Sequence, residues 1–287
     1  MSDPMLLLRP SRLPREIRGF EYVRELVRRN SAIVLDESKD YLIEARLAPI
    51  AEKEGLRSVD ALISALSSQN PGKLHGRVVE ALTTNETHFF RDIHPFRILG
   101  KEVLPKVMER NAETKTLRVW SAACSTGQEA YSIAMTLMNH CPALSQWDVN
   151  IHCTDLNETV LQTAEAGIYR QLEMNRGLPA RDMIKHFDRL GTTWQVKAPL
   201  RDLCTFEKVN LAKRLPQRAR YDIVFLRNVL IYFDAESKTG VLNRIAQAMN
   251  PGGFLFLGAA ETTVNLTEKF TRACEGPGGC YHLVEGN

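Results

Sequence analysis

The sequence predicts an α/β chain: a doubly wound, Rossmann-like sheet domain with a small β insertion, preceded by an all-helical domain. Three observations carry this. Residues 117–129, L-R-V-W-S-A-A-C-S-T-G-Q-E, pass from β-prone residues through a run of small ones into an apolar-periodic helix at Ala130, Ile133, Ala134, Leu137 and Met138. A second strand over 149–153 ends in Thr154-Asp155. Before about residue 82 the apolar residues recur at helical spacing and nothing reads as a strand.

The run 117–129 has the form of the opening βα unit of a nucleotide-binding sheet. Its small residues let a ligand lie against the backbone, and the first N–H groups of the helix have no partner inside the helix. It is not a G-x-G-x-x-G turn, since only Gly127 is present. Asp155, at the end of the next strand, is placed to accept hydrogen bonds from ribose hydroxyls. The alternative for Asp155 is a helix cap. Together the two features favour a ligand containing a nucleoside.

Residues 1–18 carry Pro4, Pro10 and Pro14 among arginines and read as an irregular arm. The helical domain is expected over 19–81. Phe20, Val23, Leu26 and Val27 mark its first helix. Asp36 caps a second, which Pro49 should end or kink, with Gly55 beyond it as a C-cap. Ser58 opens a third, and 78–82 resumes helix. A linker or lid follows over 82–97, with three threonines, an asparagine, two histidines and three phenylalanines among its residues. Polar groups beside aromatics suit a lid over a ligand, and equally a linker whose rings fill both cores.

The sheet domain is expected over 98–287. Residues 172–187 read as charged helix, and a β insertion is placed at about 188–204. The stretches 204–209, 221–226 and 254–258 read as strands, the second being the most apolar and central. Residues 235–249 read as an amphipathic helix, 250–253 as a turn, and 270–284 as a closing hairpin around 276–279. A parallel start with an antiparallel finish is the architecture of many S-adenosylmethionine-dependent methyltransferases. It also fits a nicotinamide or flavin binder, the former weakened by the missing glycines.

Composition sets outer bounds. With 37 Lys and Arg against 34 Asp and Glu, the net charge of +3 argues for neither nucleic acid nor membrane surface. No stretch approaches the ~20 apolar residues of a membrane span, and the apolar run 5–8 is too short for a secretory signal. The six cysteines show no C-x-x-C pair. Free buried thiols, a cytoplasmic location and no metal are the expectation.

Six blocks taken together carry a specific resemblance: T-T-N-E-T-H-F-F-R-D at 83–92, R-V-W-S-A-A-C-S-T-G-Q-E at 118–129, the strand end at Asp155, G-I-Y-R at 167–170, F-L-R-N-V-L-I-Y-F-D at 225–234 and N-P-G-G-F-L-F-L-G at 250–258. In this order they resemble the chemotaxis receptor methyltransferases of the CheR family. The resemblance implies methyl transfer from S-adenosylmethionine to glutamate side chains on the cytoplasmic helices of chemoreceptors, with S-adenosylhomocysteine as product. It implies that Asn85, Thr87 and Arg91 hold the cofactor from the linker. Glu129 takes the methionine ammonium and Asp155 the ribose, while Asn210, Leu211 and Asn228 take the adenosine side. Arg91 and Tyr232 flank the methyl group and the incoming carboxylate.

Gln128 and Ala130 stand where many members have Glu and Pro, but Glu129 is kept. The helix 40–54, strongly basic in some members, here mixes Arg46 and Lys53 with Glu44, Glu52 and Glu54. The insertion lacks the glycine-rich loop by which some members dock a receptor's C-terminal pentapeptide, so a tether-independent enzyme is expected. A glutamate acceptor, with an ordinary pKa of about 4.3, is already a nucleophile at neutral pH and needs no base. His88 and His94 are therefore read as structural. The rival readings are a methyltransferase of a small acid or phenol, and a cofactor-binding adaptor without catalysis.

Overall fold

A computed structural model describes residues 19–215, 220–274 and 279–284. The arm expected over 1–18 and the tip of the closing hairpin lie outside the described residues. The chain divides into two compact units: Met1–Thr84 with Asn210–Arg214 and Tyr232–Lys238, and Asn85–Val209 with Leu215–Ile231 and Thr239–Asn287.

Among the described residues of the first unit are the helices α1 Gly19–Ser31, α2 Asp40–Lys53, α3 Val59–Ser68 and α4 Lys73–Ala81. Their apolar stripes, including Val23, Leu26, Ile43, Leu47, Leu62, Leu66 and Val78, are buried, which is what the helical spacing dictates. Ser58 caps α3 by accepting from the Ala61 N–H. Asp36 caps a short 3-10 turn, Glu37–Lys39, that leads into α2. Pro49 does not end α2, which runs through it to Lys53. The two distal segments of this unit are tied to α1 and its C-terminal end. Asn210 Nδ2 donates to the Asn30 carbonyl at 2.5 Å, and Arg28 pairs with Asp234 at 3.2 Å. The Val34 N–H donates to the Tyr232 carbonyl at 2.9 Å.

The second unit begins with α5 His94–Ile98 and α6 Leu104–Arg110, joined by a π-helical turn. There follow β1 Thr116–Ala122, α7 Gln128–His140, β2 Asp148–Asp155, α8 Glu158–Ala166, β3 Ile168–Arg170, α9 Gln171–Met174 and α10 Ala180–His186. The chain continues through β4 Phe187–Leu190, β5 Thr193–Val196, α11 Ala198–Arg201, β6 Cys204–Lys208, β7 Tyr221–Leu226, α12 Ala235–Ala248, β8 Met249–Leu257, β9 Phe270–Cys274 and β10 Gly279–Leu283. Strands β6-β2-β1-β7-β8 pair in parallel, and β10 and β9 close the sheet antiparallel. Every residue of β7 is buried, as expected of a central parallel strand, and its one charged residue, Asp222, pairs with Arg110 at 2.6 Å. Strand order reverses at β1, so the crevice at the carboxyl ends of β1, β2 and β7 is the place where such sheets hold ligands.

The second unit departs from the sequence reading in three places. The stretch 172–187 is not one helix: α9 and α10 are separated by Asn175-Arg176-Gly177-Leu178-Pro179, whose Gly and Pro break it. The small sheet has the order β3-β5-β4, so Ile168–Arg170 supplies a strand upstream of the expected insertion. β8 takes in 250–253, read as a turn, with a register irregularity opposite. Of the linker rings, Phe89 and Phe96 belong to the core of the second unit and Phe90 packs against it. All six cysteines are free thiols, four of them buried.

Candidate active site

The site grows from the turn between β1 and α7. Ala123, Ser125 and Gly127 take left-handed φ values of 60°, 52° and 92°. Gly127 is required twice over. Its φ suits glycine, and a Cβ there would stand 2.8 Å from the Ala164 Cβ and 3.0 Å from the Tyr169 hydroxyl. The turn is held mostly by backbone groups. The Cys124 N–H donates to the Thr154 carbonyl at 2.8 Å, and the Gly127 N–H to the Cys124 carbonyl at 3.0 Å. Tyr169, from the G-I-Y-R block, donates to the Thr126 carbonyl at 2.7 Å.

Asp155 is buried at the end of β2. Its two oxygens accept the N–H groups of Ser125 and Asn157, each at 2.9 Å. The cap of α8 is Asn157, which accepts from Thr159 and Val160, so Asp155 is not that cap. It is the acid that fixes the turn.

Glu129 lies in the first turn of α7 with its side chain 12 % exposed. Ser121 Oγ donates to one oxygen at 2.9 Å and Arg227 Nη1 to the other at 2.9 Å. Burial pushes the Glu129 pKa up, against the lowering pull of Arg227 and the Ser121 hydrogen bond.

Arg227 follows β7 directly and its side chain is 1 % exposed. Its Nη2 donates to the Arg91 carbonyl at 2.9 Å and to Asp92 at 2.7 Å, and its guanidinium lies 5.7 Å from the Phe96 ring centre. One buried cation thus joins Glu129 to the loop carrying Arg91. That loop, 85–93, is strained, with Phe90, Asp92 and Ile93 at φ 50°, 67° and 46°. It is held by the Phe90 N–H on Ser132 Oγ at 2.9 Å and by Ser125 Oγ on the Asn85 carbonyl at 2.7 Å. Arg91 is half-buried, with Nη1 on the Glu86 carbonyl at 3.0 Å. Burial, then Arg176 and Arg91, push the His88 pKa down.

Asn228 has φ 58°. The buried Glu261 accepts the N–H groups of Asn228, Val229, Leu230 and Gly258 at 2.7–2.9 Å, pinning the turn after β7 to the end of β8. The structure therefore gathers Asn85, Arg91, Glu129, Asp155 and Asn228 into one connected set in the second unit, and Thr87 lies half-buried in the same loop. Asn210, Leu211 and Tyr232 belong to the first unit. There Asn210 is occupied at both ends of its side chain, by Asn30 and by the Ala212 N–H at 2.9 Å. Arg46 of α2 donates to the Thr83 carbonyl at 2.7 Å.

Sequence reasoning missed Arg227 and Glu261. A cation directly after the apolar run 223–226 was the available signal for the first, since a buried guanidinium demands an acid. Nothing local marks Glu261.

The donor set fits an adenosyl amino acid: a small-residue turn, a carboxylate at the start of α7 for an ammonium, and a second acid at the end of β2 for hydroxyls. With the five-strand parallel sheet, this defines a Rossmann-like methyltransferase domain. The chain belongs to the CheR methyltransferase family: the family's S-adenosylmethionine-binding domain matches residues 85–276 and its all-alpha domain matches residues 18–83. It is 40 % identical over 266 residues to chemotaxis protein methyltransferase 1 of Pseudomonas aeruginosa, covering 91 % of this chain and 96 % of that one. It is 40 % identical over 255 residues to the chemotaxis protein methyltransferase of Vibrio parahaemolyticus, covering 88 % and 91 %. The chemotaxis protein methyltransferase of Borreliella burgdorferi is 33 % identical over 245 residues, covering 83 % and 86 %.

Proposed function

We propose that this methyltransferase esterifies glutamate side chains on the cytoplasmic helices of chemoreceptors, giving γ-glutamyl methyl esters, and does so in the cytoplasm without needing a receptor C-terminal pentapeptide. The observation that carries the reading is similarity to chemotaxis methyltransferases along nearly their whole length.

Each residue has a role in this account. Glu129, shared between Ser121 and Arg227, accepts the cofactor's ammonium. Asp155 accepts the ribose hydroxyls while holding the turn beneath them. Asn85 and Thr87 contact the cofactor from the 85–93 loop. Asn210, Leu211 and Asn228 serve the adenosine side. When bound, S-adenosylmethionine supplies a methyl group on a sulfonium. That chemistry would ask the chain to remove no proton, because the acceptor is already a carboxylate. The protein's work is alignment and exclusion of water. Arg91 orients the acceptor by charge-assisted hydrogen bonds and Tyr232 adds a neutral donor. Tether independence is supported by the connection between β4 and β5, which is only Gly191 and Thr192.

The test is methyl-labelled S-adenosylmethionine with receptor-bearing membranes. Label released as methanol by mild base, in equal amount from receptors with and without their last residues, is expected. An enzyme that binds cofactor but labels no receptor contradicts the reading. Arg91→Ala should abolish transfer with the fold intact; near-normal turnover would move the catalytic assignment elsewhere.

A further inference from the structure

The 85–93 loop is also gripped by the small sheet and the turn between α9 and α10. The Phe89 ring is fully buried between Tyr169 of β3 and Phe187 of β4, edge-on to both at 5.1 Å and 5.6 Å. The turn between α9 and α10 meets the same loop. Gly177 has φ 82°, and a Cβ built there would run into the Phe89 carbonyl oxygen, with the Phe89 carbon at 3.2 Å and His88 Cδ2 at 3.3 Å. Arg176 Nη2 pairs with Glu86 at 2.6 Å and lowers its pKa. Met174 is buried and Leu178 packs against the core, so the turn is anchored on both flanks.

We propose that the Arg176–Gly177 turn is a positioning element for the cofactor. By clamping Glu86 and the Phe89 carbonyl, it sets where the 85–93 loop presents Asn85, Thr87 and Arg91. This rests on the reading that the loop holds the cofactor. The strain at Phe90, Asp92 and Ile93 gives the clamp its purpose: a backbone in three left-handed residues keeps its shape only if its surroundings impose it. The absent Cβ at Gly177 is what allows the approach, and the Arg176–Glu86 pair fixes its register. The small β sheet and its flanking turn therefore serve the cofactor as well as the fold.

Calorimetric titration of the full chain with S-adenosylhomocysteine tests this. Gly177→Ala should weaken binding about tenfold with helical content unchanged. Gly191→Ala is the control. It has φ 58° and nothing within 4 Å of its Cβ, so it carries the same backbone strain without a clash and should bind within about twofold of the parent. Should Gly177→Ala fail to fold, a charge swap keeps the test open. Glu86→Arg and Arg176→Glu alone should each weaken binding about two- to fivefold, and the double variant should recover it. A merely structural turn would lower thermal stability and leave the affinity of the folded protein at the parent value, which overturns the proposal, as does a swap with no recovery. Asn85→Ala separates the two levels. If it weakens binding while Gly177→Ala does not, positioning alone fails; if it leaves binding intact, the loop does not hold the cofactor and both fail.

Discussion

The β1–α7 turn and the 85–93 loop border the same site and carry similar strain. Ala123, Ser125 and Gly127 are left-handed in one, Phe90, Asp92 and Ile93 in the other. They differ in what imposes that shape. The turn is fixed mostly by its two neighbouring strand ends, through the backbone of Cys124 and Gly127 and the acid of Asp155. The loop is fixed by side chains distant in sequence: Ser132, Arg176 and Arg227. A strained segment can be encoded locally or assembled from outside. The two should respond differently to mutation.

The largest effect is expected in the turn. Asp155→Ala removes the proposed ribose acceptor and releases two backbone N–H groups at once. Hydrogen bonds to a charged group are worth about 1.5–3 kcal/mol each, so affinity for S-adenosylhomocysteine should fall about 100-fold or more. Unchanged affinity by calorimetry would remove Asp155 from the site. In the loop, Ser132→Ala leaves the Phe90 N–H without its acceptor. A single neutral hydrogen bond is worth about 1 kcal/mol, so a loss of about fivefold is expected, with the turn undisturbed. A loss as deep as that of Asp155→Ala would erase the distinction.

The smallest effect concerns pH. Burial holds the Glu129 pKa above the ordinary glutamate value, and the ammonium proposed for it needs the ionised form. The folded protein takes up this proton before the unfolded chain does, so cofactor affinity should begin to fall at a pH above that ordinary value as acid is added. Glu129→Gln should bind weakly and lose this dependence. A parent protein whose affinity is flat through the acid range would contradict the assignment.

The same difference explains what could be read in advance. The turn, Asp155 and β7 were legible because each is a local pattern: small residues, a strand end, an apolar run. The family blocks brought Asn85 and Arg91 to attention, yet how that loop is held was not legible. Its partners are single residues scattered from Ser132 to Arg227, with no period to betray them. Gly177 and Pro179 did signal a break, but the apolar and charged spacing of 172–187 was read through them. Pro49, expected to end or kink α2, does not end it, since the helix continues past it. Glu261 satisfies four backbone N–H groups from a stretch with no pattern of its own.

The most direct measurement is amide hydrogen exchange in Arg227→Met beside the parent. Removing the cation takes away the bonds to the Arg91 carbonyl and Asp92 while leaving every backbone bond of the β1–α7 turn. The account predicts faster exchange at Phe90 and its neighbours, with the Ser125 and Gly127 amides as protected as in the parent. Equal acceleration in both segments, or none in the loop, would contradict it.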